Sequence, residues 1–199
     1  MTYSQHVTER AEVKIIIALI AFVILAIVAF VLFVYSGAYN VAASKPHTKF
    51  THWILNTTIE KSVRHHAEGI KSPPLSDDSL VQSGFDHYNE MCVGCHGKPG
   101  LPPSELENGF NPEPPDLVER IKEGKWKAEE LFWITKHGIK MSAMPAFGPT
   151  HSDEEVWTIV AFLKHLPDLS PEEYKAMEKA SEGKNHRSHE QEQEHEHSH

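Results

Sequence analysis

From Ile15 to Tyr35 the chain carries no charged residue, and that run constrains the molecule more than any other feature. An apolar helix of about 20 residues reaches across the hydrocarbon core of a bilayer, and a helix satisfies its own backbone polar groups in lipid. The run is therefore predicted to span a membrane. A cleaved secretory signal is the competing reading, with Val41-Ala42-Ala43 as a cleavage site. Signal cores hold about 7–15 apolar residues, however, and this run is longer, so a retained anchor is expected. Flanking charge orients it weakly, because Arg10 and Lys14 on one side face Lys45 and Lys49 on the other.

Outside that run the chain is polar and acidic, with 28 Asp and Glu against 19 Lys and Arg and a formal charge of -9. Such a balance excludes a general nucleic-acid binder, and over the whole chain it repels anionic headgroups. The two cysteines, Cys92 and Cys95, are too few for a disulfide framework or a four-thiolate zinc site. Whatever they do, they do as a pair.

Five segments follow from composition and periodicity. Residues 1–14 form a short N-terminus and 15–35 the membrane helix. In 36–76, Leu55, Ile59, Val63 and Ile70 recur near helical spacing and predict an amphipathic helix. That helix would dock on the downstream domain, or lie on the membrane with Arg64, His65 and His66 toward headgroups or water; a plain helical spacer is the preferred reading. Pro73-Pro74 closes the segment, which sets a domain boundary near Asp77.

Residues 77–167 read as helices joined by loops with no alternating strand, so the fold class is all-α. The first helix starts at Asp77 or Asp78 as N-cap and runs through Gly84, Phe85 and Tyr88 into the cysteines. A short helix is predicted from Asp116 to Gly124, and another from Ala128 to His137, with Gly138 as a left-handed cap. Ser152 and Glu155 form a capping box for a last helix that Pro167 stops, with Val156, Ile159, Val160 and Leu163 on one face. Lys98 to Pro115, rich in Pro, Gly and Asn, is read as loop.

Residues 168–199 lose apolar content and are read as a structureless tail, apart from a short helix around Glu172 to Ala180. His186, His189, His195, His197 and His199 in that tail offer imidazoles to a divalent metal. A solvated tail is the preferred reading.

Cys92-Val93-Gly94-Cys95-His96 carries the chemistry. Two thiols two residues apart, followed at once by histidine, form the pattern that attaches haem c: the thiols add across the haem vinyl groups and the histidine coordinates iron. Gly94 is expected to ease the turn between the cysteines. A thioredoxin-like dithiol needs a βαβ setting that is missing, and a zinc half-site lacks its partner. The sulfur candidates for the opposite face of the iron are Met141 and Met144; His137 and His151 are rivals that abut loops and read as surface residues. Trp126, Trp133 and Trp157 are read as core or haem-pocket aromatics.

Gly84, Tyr88 and Cys92 at steps of four, the haem motif, the loop Met144-Pro145-Ala146-Phe147-Gly148 and the amphipathic last helix together resemble a class I, mono-haem cytochrome c. The resemblance covers about Asp77 to Pro167. It implies a helical domain with one covalent haem c, His96 and Met144 as axial ligands, and the Pro115 carbonyl as hydrogen-bond partner of the His96 ring. It also implies that Ile159 and Phe162 pack close to Gly84. Its function would be one-electron transfer rather than catalysis, alone or as a subunit of a larger oxidoreductase, with respiratory-chain oxidoreductases or terminal oxidases as partners. Haem attachment in this family implies a periplasmic haem domain on the bacterial inner membrane, with 1–14 cytoplasmic. A haem- or metal-binding sensor module is the alternative.

Overall fold

The computed structural model describes residues 3–101 and 104–181. The histidines from His186 to His199 lie outside the described residues. The chain forms two compact units, one ending at Lys45 and one beginning at Pro46.

The first unit is built on α1, Tyr3–Tyr35. It starts before Ile15 because Glu9, Arg10, Ala11, Glu12 and Lys14 are all good helix formers. Within its stretch Glu12–Tyr35 an 18-residue window has a mean hydropathy of 3.5 and no buried residue. At 1.5 Å per residue those 24 residues extend about 36 Å, enough to cross a hydrocarbon core.

The regular elements of the second unit, among its described residues, are helices: α2 Lys49–Ala67, α3 Asp78–Met91, α4 Val93–His96, α5 Glu105–Asn108, α6 Leu117–Lys122, α7 Ala128–His137 and α8 Asp153–His165. A 3₁₀ turn, Leu166–Asp168, leads into a final helix, α9, described over 171–181. Side-chain caps start three of these helices where the sequence placed them. The Asp77 carboxylate accepts from Ser79 N, Asp116 from Glu119 N, and Ser152 and Glu155 close a reciprocal box.

α3 crosses α8 at the centre. A Cβ on Gly84 would lie 1.9 Å from the Thr158 carbonyl oxygen and 2.9 Å from Phe162 Cβ. Only glycine permits that approach. The expected contact with α8 is thus present, but the closest backbone belongs to Thr158 rather than Ile159. One apolar cluster gathers Phe85, Tyr88, Cys92, Ile159, Phe162, Leu163, Leu166 and Tyr174; a second gathers Ile121, Leu131, Phe132, Val156 and Val160. Trp157 stacks on Phe132 at 4.3 Å, and Trp126 packs beside that second cluster.

Two sequence expectations need correction. The boundary near Asp77 does not separate α2 from the helices that follow, because Val63 and Ala67 are buried and α2 packs against α7. Lys125 pairs with Glu60, and Ile70 and Leu75 cover the second cluster. The segment is therefore docked over part of its length rather than being a free spacer. Residues 168–181, read as the start of a tail, are also part of the core. Tyr174 is 1% exposed, its ring lies 5.1 Å from that of Phe85, and its hydroxyl donates to Asn89 Oδ1. Lys98 reaches Glu178 at 2.6 Å.

Candidate functional site

The motif Cys92 to His96 folds as a single helical turn that continues from α3. Cys92 N donates to the Tyr88 carbonyl at 2.9 Å, and the Cys92 carbonyl accepts from Cys95 N and His96 N at 3.1 and 2.9 Å. Positions i, i+3 and i+4 of a helix share one face, so the turn presents Cys92, Cys95 and His96 together. Gly94 sits within that helix, and a Cβ there would meet nothing, so the strained angle expected of it is absent. The positive φ belongs instead to Gly97, at 67°, which ends the turn and lets its carbonyl accept from the buried Tyr88 hydroxyl at 2.8 Å.

His96 Nδ1 lies 3.0 Å from the Pro115 carbonyl oxygen. A carbonyl only accepts, so the proton sits on Nδ1 and the Nε2 lone pair is free to bind a metal. Burial pushes the imidazole pKa down, against the opposing pull of that carbonyl, and favours the neutral, ligating form. Cys92 is buried next to Cys95, and burial pushes its thiol up to about 12. Dithiol exchange needs a thiolate, hence a lowered pKa. The pair is thus poorly suited to thioredoxin chemistry. Both cysteines are free of disulfide bonding, and their setting on one turn with a fixed histidine fits attachment of haem c.

A carboxylate and a short helix that the sequence reading missed brace this turn. Ser104 Oγ donates to the Gly94 carbonyl at 2.9 Å and, as N-cap of α5, accepts from Glu107 N at 3.0 Å. Glu107 is buried and returns the bond to Ser104 N, completing a capping box. The Ser104-x-x-Glu107 spacing was the available signal.

The methionine loop is positioned by backbone bonds to the end of α7. Phe147 N donates to the Thr135 carbonyl and Gly148 N to that of Lys136, at 3.2 and 2.9 Å, while Ile139 N donates to the Met144 carbonyl at 3.2 Å. Gly138 has φ 64° and ψ -172°, which is not the left-handed cap expected of it. A Cβ there would lie 2.7–2.8 Å from the backbone of Pro145 and Ala146. Gly138 therefore admits the Met144-Pro145-Ala146 segment against the helix end. Met144 is half-buried, and its amide donates to Ser142 Oγ. Met141 is 97% exposed, in the positive-φ region at 62°. Of the two sulfurs, burial favours Met144. His137 lies against Trp133, and His151 against His87 and Phe147.

With this geometry in view, residues 79–163 match the family described as Cytochrome C oxidase, cbb3-type, subunit III. No curated protein matches the chain. Among solved structures, the reducing HAO-like protein complex Kustc0457/Kustc0458 of Kuenenia stuttgartiensis is similar, at 23% identity and a TM-score of 0.39. The likeness covers 49% of this chain, and the chain spans about half, 47%, of that one.

Proposed function

We propose that the chain, whose residues 79–163 match a cytochrome c oxidase subunit family, is a membrane-tethered, periplasmic electron carrier with one covalent haem c. In this reading 1–14 are cytoplasmic, 15–35 cross the inner membrane, and the haem domain follows. The carrying observation is one helical turn that presents Cys92, Cys95 and His96 on a shared face, with His96 Nδ1–H on the Pro115 carbonyl.

Cys92 and Cys95 would hold the cofactor through thioethers, each S–H adding across one vinyl group. The Pro115 carbonyl fixes the tautomer of His96 and leaves Nε2 free, so that this nitrogen would hold the iron, as in metal-ligating histidines with such partners. Met144 supplies a thioether from the loop held on α7. Bound haem c supplies a one-electron couple, whose potential a methionine ligand raises. With His96 and Met144 both engaged, electron transfer would need no acid, base or nucleophile from the chain. The family description supports a respiratory terminal oxidase as partner, and the tether keeps the carrier concentrated near membrane enzymes.

A redox titration of the purified full chain followed by visible absorption tests this. Reversible one-electron behaviour, with the reduced protein slow to bind carbon monoxide, is expected. Rapid carbon monoxide binding would mean that Met144 does not hold the iron, and would favour a sensor.

A further inference from the structure

α2 carries apolar residues at both of its ends. Its C-terminal half is accounted for, since Val63 and Ala67 are buried and Glu60 pairs with Lys125. Its N-terminal half is not. Phe50, Trp53 and Ile54 occupy positions i, i+3 and i+4, one face of the helix, and are 68%, 61% and 40% exposed. The Phe50 and Trp53 rings lie 6.1 Å apart. The stripe lies at least nine residues, about two and a half turns, before Val63 and Ala67 along the helix and is exposed, so the docking of α2 on α7 does not cover it.

Charge and tether name the occupant. In a chain of formal charge -9, residues 36–59 contain no Asp or Glu, and their charged side chains are Lys45 and Lys49. The local surface is thus cationic where the chain as a whole is acidic. Thirteen residues, 36–48, separate α2 from the end of α1, a reach of at most about 45 Å even fully extended. A tryptophan beside lysines, on an apolar helix face held near a bilayer, has the composition of an interfacial segment. We infer that the Phe50, Trp53 and Ile54 face of α2 rests in the headgroup region of an anionic membrane, which fixes the orientation of the haem domain docked on the other half of the helix. The inference rests on α1 being a membrane anchor.

The test uses the full haem-loaded chain in vesicles of phosphatidylcholine and phosphatidylglycerol. Trp53→Cys and, as control, His52→Cys each give a thiol for a nitroxide label, at neighbouring exposed positions on different helix faces. With haem kept reduced, spin relaxation by oxygen and by a water-soluble nickel chelate is compared. At position 53 the nickel effect is expected to be several-fold weaker than at position 52, and the oxygen effect stronger. Equal nickel access at both positions overturns the inference. Protection of position 53 from both relaxants also overturns it, because that signature belongs to a protein contact such as a second copy of this chain. Carbonate washing separates the two levels: if the chain is stripped from the vesicles, the anchor fails and the inference with it, whereas retention with equal exposure sinks the docking alone.

Discussion

The turn that carries Cys92, Cys95 and His96 and the loop that carries Met144 face the same chemistry but are built in different ways. The turn continues α3, one cysteine lies in the main apolar cluster, and a carbonyl nineteen residues away fixes the histidine ring. The loop contributes little to either core. Backbone bonds to Thr135 and Lys136 hold it, and Gly138 lets it approach α7. On the proposed reading, attachment would depend on a helical turn joined to the core, whereas a Met144 ligand would depend on a loop held by backbone bonds to the end of α7, and the two should fail separately.

The largest effect sharpens that contrast directly. His96→Ala should abolish the ligated haem chromophore, while Met144→Ala should keep the covalent haem, lower the reduction potential and admit carbon monoxide; visible spectra read both. Next comes Gly84→Ala, where the new Cβ meets the Thr158 carbonyl at 1.9 Å. Overpacking of that kind costs about 3 kcal/mol or more where backbone must move, measurable by guanidinium unfolding. Gly138→Ala should cost less, about 1–3 kcal/mol, and act through the loop. Its expected signature is carbon monoxide binding with the haem still attached. If it instead blocked haem attachment, the two regions would not be independent.

The turn was legible because its signal is local: five contiguous residues carry both the attachment motif and the helical turn that presents it. α8 was legible for the same reason, with Ser152 and Glu155 capping and an apolar stripe. α5 escaped because four residues are too few to establish a period. The helix α9 was legible, with Ser170, Pro171 and Glu173 as its start: Ser170 N donates to the Glu173 carboxylate, and Glu173 N to Ser170 Oγ; its docking escaped because Tyr174 and Met177 are sparse apolar contacts among charged residues. The partial docking of α2 rests on Val63 and Ala67, and no spacing distinguishes a docked pair from a spacer. The role of Gly138 was invisible because its obstacle, the backbone of Pro145 and Ala146, is set by the return path of the loop.

Smaller effects extend the comparison to α2. Its tie to Lys125 holds the Glu60 carboxyl below its ordinary 4.5, chiefly through the hydrogen bond from Lys125. A carboxyl with a lowered folded pKa stabilises fully above its unfolded value and loses that contribution as pH falls through the folded one. Amide exchange in α2 should therefore rise below about pH 4.5, and Glu60→Gln should remove that step; the pair is partly exposed, so less than ~1 kcal/mol is at stake. Smallest of all is Met141→Ala, expected to change stability by no more than about 0.5 kcal/mol and the reduced spectrum not at all.

The most direct measurement is the intact-chain mass of protein made in a host that attaches haem c, taken after acidified organic solvent has removed anything held without a covalent bond. The account predicts a chain heavier by one haem, with that increment lost in Cys92→Ala/Cys95→Ala. A wild-type chain at its bare polypeptide mass would contradict it.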